Sequence, residues 1–475
     1  MPKLISVDEC ERLGVGEVHE LYRRHVNRSQ VKLMTSFGFG RELVDSAEGA
    51  ELTLRDGRRV LDLTGGVGVL NHGHNHPRIL AVRERFAARQ RMEVHKTYFS
   101  PYLAALGHNL AQVMPGDLNY SFFPNSGAEA VEGAVKLAYK YHGGKRNTIL
   151  RSDISFHGKL LGSGSLTGGA QNHFAFPGIP GVVSFGYDDL DSVRAALAAA
   201  RDARGRSDVY ALLIEPFSCT TVRWCSEEFL RGLRELCTAE DIVLIFDEIH
   251  SGWGKTGTMF HFERYAGLVP DVVTTSKSFG GGKSSISAYV AREPVFRKAY
   301  DSLTDALLQS TSTTYYGFGE EAATAIEAIA IAVEEDYPAK ARAIERILGP
   351  GLERIAKAHP DAVSDVAGAG AIWGIFLQSA PLIDLVAKLA PGGLAKDPQF
   401  GIKVVNTAVV DAMYGEHDIY MYYALNGRNP LMASPSLVTR PDQLERFLTA
   451  LDNTLSRGMT RLVTRFVKEK VTNLW

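Results

Sequence analysis

The sequence predicts an α/β protein: a large, mostly parallel sheet flanked by helices, joined to a smaller α+β domain built from the N- and C-terminal parts. Three observations predict this. Between about residues 100 and 300, short apolar runs (NYSFFP, NTILRS, VYALLIEPF, DIVLIFDEI, DVVTTS and ISAYV) alternate with amphipathic helical stretches. Near-continuous apolar strands separated by helices belong to a parallel sheet buried on both faces. After about residue 320 the alternation stops and a long helical run, EEAATAIEAIAIAVEEDY, leads into a mixed pattern. The first ~50 residues carry no apolar core of their own, so they are expected to pack with the C-terminal part.

In chain order, VGEVHELYRRHV has a helical pattern. AELTLRDGRRVLDL is a hairpin, with Asp56-Gly57 as the tight-turn signal between two alternating arms. GAEAVEGAVKLAYKYHG, SVRAALAAARDA and EEFLRGLRELCTAE are the helices between sheet strands, and QLERFLTALDNTLSRGMTRLVTRFVKE closes the chain as helix. The expected division is residues 1–60 as a segment packing with the small domain, 61–330 as the large domain and 331–475 as the small one. A chain of 475 residues with 45% apolar content can build such cores.

Bulk properties exclude several functions. The 52 basic and 54 acidic residues leave a net charge of −2, which gives no argument for nucleic acid or a membrane surface as partner. Cys10, Cys219, Cys225 and Cys237 form no CxxC pair, as in a reduced cytoplasmic protein. MPKLISVDECERLGV lacks the apolar centre of a secretory signal. No apolar run approaches the ~18 residues of a membrane span.

Three stretches could carry chemistry. In FFPNSGAEAVEG, a strand runs into a helix start where Ser126 and Glu129 have capping-box spacing. Gly127 and Ala128 leave first-turn amides open to an anion such as phosphate, although an ordinary capped helix has the same pattern. In DIVLIFDEIHSGWGKTG, an apolar strand ends in Asp247-Glu248. Carboxylates there need partners: a protonated ring nitrogen, a metal, or a proton to abstract. In TTSKSFGGGKSS, Gly282-Lys283-Ser284 imitates the tail of a nucleotide-binding loop, but the glycine such a loop needs five positions earlier is Lys277. A lysine directly after a strand, whose ammonium burial destabilises, suits Schiff-base chemistry. Lys283 is expected in solvent, and the glycines as a flexible segment. Phe156, in ISFHGK, could stack on a planar ring or simply fill the core. His72, His74 and His76 alternate as zinc ligands would on a strand, but Gly73, Asn75 and Pro77 argue for a loop and no metal is expected.

Together these stretches resemble the class III aminotransferases, enzymes of fold type I that use pyridoxal 5'-phosphate. The resemblance runs in order through LDLTGGVGVLNHGHNHP, NSGAEAVEGAVKLA, FHG, IEPF and DEIHSGWGKTGTMFHFERYAGLVPDVVTTSKSFGGG. It implies a homodimer with active sites at the subunit interface, acting on a small amine donor and a carbonyl acceptor. It implies catalytic roles for Lys277, as the Schiff-base lysine that later moves the proton, and for Asp247, as the partner of the pyridine nitrogen. Ser126, Gly127 and Ala128 would hold the phosphate, Phe156 would stack on the ring, and His157, Glu215 and His250 would complete the cofactor site with Glu248 nearby. Thr314, or Thr313 by a shift of register, would reach the phosphate of the partner subunit. Aminomutases, decarboxylases and racemases use the same residues. A scaffold without activity or a nucleotide-binding protein would be a different class.

The chain also departs from the family pattern. His250 stands where many members have glutamine, which leaves open the contact to the cofactor's ring oxygen. In GRNPLMASPSLVT, Leu431 stands where members often carry an arginine that grips a substrate carboxylate, and Arg428 is three residues away. A substrate not held as an ordinary α-amino acid is therefore expected.

Overall fold

The computed structural model describes residues 4–36, 39–168, 177–309, 313–378, 399–425 and 428–471. Its largest sheet has seven strands: β1 (Leu118–Phe122), β2 (Thr148–Ser152), β3 (Val182–Phe185), β4 (Val209–Ile214), β5 (Val243–Asp247), β6 (Val272–Thr275) and β7 (Ala288–Arg292), in the order β1-β7-β6-β5-β4-β2-β3. Only β7 runs against its neighbours; the other six are parallel. Every residue of β4 and β5 is buried, which is why those segments are apolar without alternation. The sequence reading did not include β3. It is a four-residue edge strand, and only Phe185 in it is fully buried, so its pattern is too short and too mixed to stand out.

Among the described residues, two four-stranded sheets and a two-stranded ribbon (Phe217–Ser218 with Arg223–Trp224) lie outside this one. The hairpin Glu51–Leu54 with Arg59–Asp62 turns at Gly57, whose φ of 89° suits glycine. Val44–Glu48 extends it on one edge, and Ile419–Tyr420 pairs with Arg59–Asp62 on the other. The N-terminal part is thus joined to the C-terminal part by backbone hydrogen bonds. The other sheet orders Val363–Ala369, Ile372–Leu377, Leu431–Ala433 and Tyr422–Tyr423, all antiparallel. The closing helical run breaks at Gly458 (φ 80°) into Pro441–Leu455 and Met459–Phe466.

The histidine-rich loop does not gather its side chains. His72 Nε2 faces Ala328 O at 3.0 Å, His74 Nε2 faces Asp62 Oδ2 at 2.9 Å, and His76 Nε2 lies 3.8 Å from Glu335. Positive φ at Gly73 and Asn75 twists the chain between them.

The glycine run after Lys277 differs from the flexible segment expected of it. Gly280 and Gly281 are buried. Gly281 and Gly282 are left-handed at φ 61° and 75°. A methyl group on Gly281 would lie 2.5 Å from Ile79 Cδ1, and one on Gly282 2.7 Å from Leu70 Cδ2. The run is glycine so that another part of the chain can pack against it. Gly281→Ala is therefore expected to lower stability by about 1–3 kcal/mol, from left-handed strain and overpacking. Denaturant unfolding of the cofactor-free protein measures this.

Candidate active site

The parallel strands point their carboxyl ends to one edge of the sheet, where ligands of such sheets bind. Asp247 ends β5, Glu215 follows β4, Lys277 stands two residues beyond β6, and Phe156 and His157 follow β2. The helix Gly127–Tyr141 starts at the same edge after β1. All these residues, with Gly127, Ala128 and His250, line one cavity of about 340 Å³. Residues far apart in sequence come together at this edge.

Ser126 caps its helix as the capping box requires. Its hydroxyl accepts from Glu129 N at 3.3 Å and donates to Glu129 Oε2 at 3.0 Å. That commits the hydroxyl to the helix, and Ser126 itself is not among the lining residues. The amides of Gly127 and Ala128 remain, with no carbonyl partner among the described residues. They give the cavity an anion-binding wall.

Asp247 is buried and held from two sides. His157 Nδ1 lies 2.7 Å from its Oδ2, and Ile249 N donates to its Oδ1 at 3.1 Å. A carboxylate only accepts, so the Nδ1 proton belongs to the histidine. His157 Nε2 is buried without a partner among the described residues. The resemblance implies a place for His157 beside the cofactor but no task. The geometry makes it the group that orients Asp247.

Glu215 Oε2 accepts from Phe156 N at 2.8 Å, tying the aromatic ring's backbone to the sheet edge. Burial, then the nearby Asp247 charge, pushes Glu215 up to about 8. The carboxyl is thus neutral in the fold at pH values where it ionises in the unfolded chain. Its folded pKa is raised, so its contribution is present at low pH and lost between about pH 4.3 and about 8. Glu215→Gln, which keeps an acceptor for Phe156, is expected to match the parent's melting temperature near pH 4 and exceed it near pH 8. Thermal melts of the cofactor-free proteins across that range measure the difference.

Glu248 faces elsewhere. It accepts from Ser251 Oγ at 2.5 Å and Phe262 N at 3.0 Å, so it anchors the turn behind β5 and not the cavity. His250 does line the cavity. Burial, then the charges of Lys277 and Lys255, holds its pKa well below the usual histidine range. Its Nε2 has no partner among the described residues.

Lys277 is left-handed (φ 48°), an uncommon backbone state for a lysine and a mark of strain at functional positions. It keeps some exposed area, since it opens onto the cavity. Burial is nevertheless the first cause that lowers its pKa, and the charges of Cys219, Glu215 and Asp247 oppose the shift. Lys283 is exposed.

The cavity is also lined by residues the sequence did not single out for the site: Val67, Cys219, Ile249 and the stretch Tyr422 to Leu425. Leu431 is buried within its strand and pairs with Ile375 and Tyr423. Arg428 is exposed and turned to Asp365, 3.3 Å away, with its guanidinium 4.2 Å from the centre of the Phe376 ring. It does not line the cavity. Thr314 is also exposed and outside the cavity of this chain. Its carbonyl accepts from Lys96 Nζ.

Comparison with known proteins bears on what this edge is. The family model for aminotransferase class-III matches residues 40–455. The chain belongs to the class III aminotransferases. The activity that goes with this family is pyridoxal-phosphate-dependent amino transfer. Solved structures share the aminotransferase fold. A transaminase from the marine bacterium Virgibacillus is 22% identical with a TM-score of 0.79, over 94% of this chain and 99% of that one. The ornithine aminotransferase from Toxoplasma gondii is 20% identical with a TM-score of 0.79, over 96% and 99%. The N-acetylornithine aminotransferase from Stenotrophomonas maltophilia is 24% identical with a TM-score of 0.69, over 89% and 97%.

The residues present fit pyridoxal phosphate. The cavity offers free amides at a helix start, a buried carboxylate, an amine with lowered pKa, and the orphaned Nε2 atoms of His157 and His250. Amides, a carboxylate and an amine are the groups that would meet the phosphate, ring nitrogen and aldehyde of a phosphorylated pyridine aldehyde.

Proposed function

We propose that this aminotransferase moves an amino group from an amine donor to a carbonyl acceptor in two half-reactions, one substrate leaving before the next binds. One observation carries the reading: Lys277, strained and with lowered pKa, opens onto the cavity that also holds Asp247 and the Gly127–Ala128 amides. When bound, pyridoxal phosphate supplies a carbonyl carbon for the amine and a ring that takes up the electron pair of a broken C–H bond. The chain does the rest. Gly127 and Ala128 would hold the phosphate at the helix start. Phe156 would cover one ring face. Asp247, fixed by His157, would hold a proton on the ring nitrogen. Lys277 Nζ would hold the cofactor's carbonyl carbon between turnovers and, as a neutral amine, would take up and give back the proton of the amine-bearing carbon.

The wall of Val67, Ile249 and Leu425 is apolar, and Arg428 is turned away. These features support a substrate that is not gripped by an α-carboxylate: an ω-amine, an aldehyde acceptor, or a larger biosynthetic intermediate. The test is bleaching of the cofactor's absorption band in the loaded enzyme by ω-amines, amino alcohols and plain α-amino acids. Faster bleaching by the first two is expected. A clear preference for plain α-amino acids contradicts the reading.

A homodimer in the cytoplasm completes the proposal. Phe99 and Leu303 leave their apolar side chains fully exposed, and a partner subunit would cover such side chains. The four cysteines are unpaired, and no helix among the described residues is long and apolar enough to cross a membrane.

A further inference from the structure

Lys255 is the one lysine among the described residues with a fully buried side chain, and nothing above gives it a task. Its Nζ donates to Pro435 O at 2.6 Å and is 3.4 Å from Ser434 O. Those carbonyls belong to the segment after the strand Leu431–Ala433, and Ser434 N in turn donates to Leu63 O at 2.9 Å. Against the same place sits the turn Gly65–Gly68. A methyl group on Gly65 would lie 2.4 Å from Ser434 O and 3.6 Å from Lys255 Nζ.

All four residues of this turn are left-handed, with φ of 53°, 60°, 58° and 87°. Three are glycine. The fourth, Val67, is β-branched, so its conformation is costly and persists only where the surroundings impose it. The far side of the turn meets the active site. A methyl group on Gly68 would lie 2.4 Å from His250 Cδ2, and Gly68 O accepts from Ser278 Oγ at 2.8 Å. Val67 itself lines the cavity.

We propose that Lys255 is a positioning residue: its buried amine ties the Ser434–Pro435 backbone against the Gly65–Gly68 turn, and through that turn sets where Val67 and His250 stand in the cavity wall. The inference rests on the aminotransferase reading of that cavity. Lys255 does not line the cavity; it acts through the turn. Removing its donors would leave two buried carbonyls unsatisfied and let the strained turn relax. A wall shifted by a fraction of an ångström disturbs fit before it disturbs chemistry at Lys277.

The test compares the loaded parent enzyme with Lys255→Met, Lys255→Arg and Ser278→Ala, using the best amine found by bleaching. Lys255→Met is expected to raise KM roughly tenfold while kcat changes less than about threefold, and to weaken cofactor binding to the cofactor-free protein. Lys255→Arg, which keeps donors on a long stem, is expected to recover most of the loss. Ser278→Ala frees the same turn from its other side and is expected to raise KM in the same selective way; it decides the matter if Lys255→Met does not fold. A folded Lys255→Met with parental KM and cofactor affinity overturns the proposal, as does Ser278→Ala with parental KM. If the parent enzyme itself shows no bleaching with any amine, the aminotransferase reading is what fails, and cofactor affinity alone then judges Lys255.

Discussion

Lys277→Ala is expected to lower amine transfer by about a thousandfold or more while the protein stays folded and still binds cofactor. The group lost is both the covalent attachment point and the proton carrier, and positioned proton transfer alone is worth about 10²–10⁴-fold. The fold survives because Lys277 contributes little packing: it opens onto the cavity, and burial already lowers the pKa of its amine. The absorption band of the lysine-bound cofactor should vanish, and circular dichroism should match the parent. A small external amine should restore part of the rate, since the missing group is an amine and the space it leaves lies in the cavity. A variant that keeps the band and the rate contradicts the assignment of this lysine.

Asp247→Asn is expected to lower transfer by roughly 10²–10³-fold with a smaller loss of stability. The substitution preserves size but removes the charge that would keep a ring nitrogen protonated. It also replaces the acceptor facing His157 Nδ1, now at 2.7 Å, with a group that can present either oxygen or an amide donor. Leaving a buried hydrogen-bonding group without its partner costs about 1–3 kcal/mol; asparagine replaces part of the lost acceptor. Rate measurements with a carbonyl acceptor in excess, beside the pH dependence of the cofactor band, separate the loss of charge from a loss of cofactor. His157→Asn should show a weaker form of the same defect, since it frees Asp247 without removing it.

The legible parts of this site are those where local pattern and position coincide. Asp247 and Lys277 follow apolar strands that end abruptly, so each could be placed at the binding edge without knowing its neighbours. Ser126 is readable as a cap from its spacing to Glu129, and the capping box it forms already commits its hydroxyl to the helix. What depends on distant packing was not readable. The glycines after Lys277 look like a flexible linker in one dimension, and only Ile79 and Leu70, some two hundred residues away, explain them. The pairing of His157 with Asp247 spans 90 positions. The wall from Tyr422 to Leu425 sits on a two-residue strand and the loop after it, with no periodicity to find. The edge strand β3 escaped for the same reason: it has one neighbour and one fully buried residue.

One lysine, Lys277, is expected to carry the cofactor. Borohydride reduction of the loaded protein turns a lysine–cofactor Schiff base into a stable secondary amine, and peptide mass mapping then locates it. The reduced pyridoxyl phosphate is expected on Lys277 and on no other lysine. Label on Lys255 or Lys283 instead, or a loaded protein that takes up no label, would contradict it.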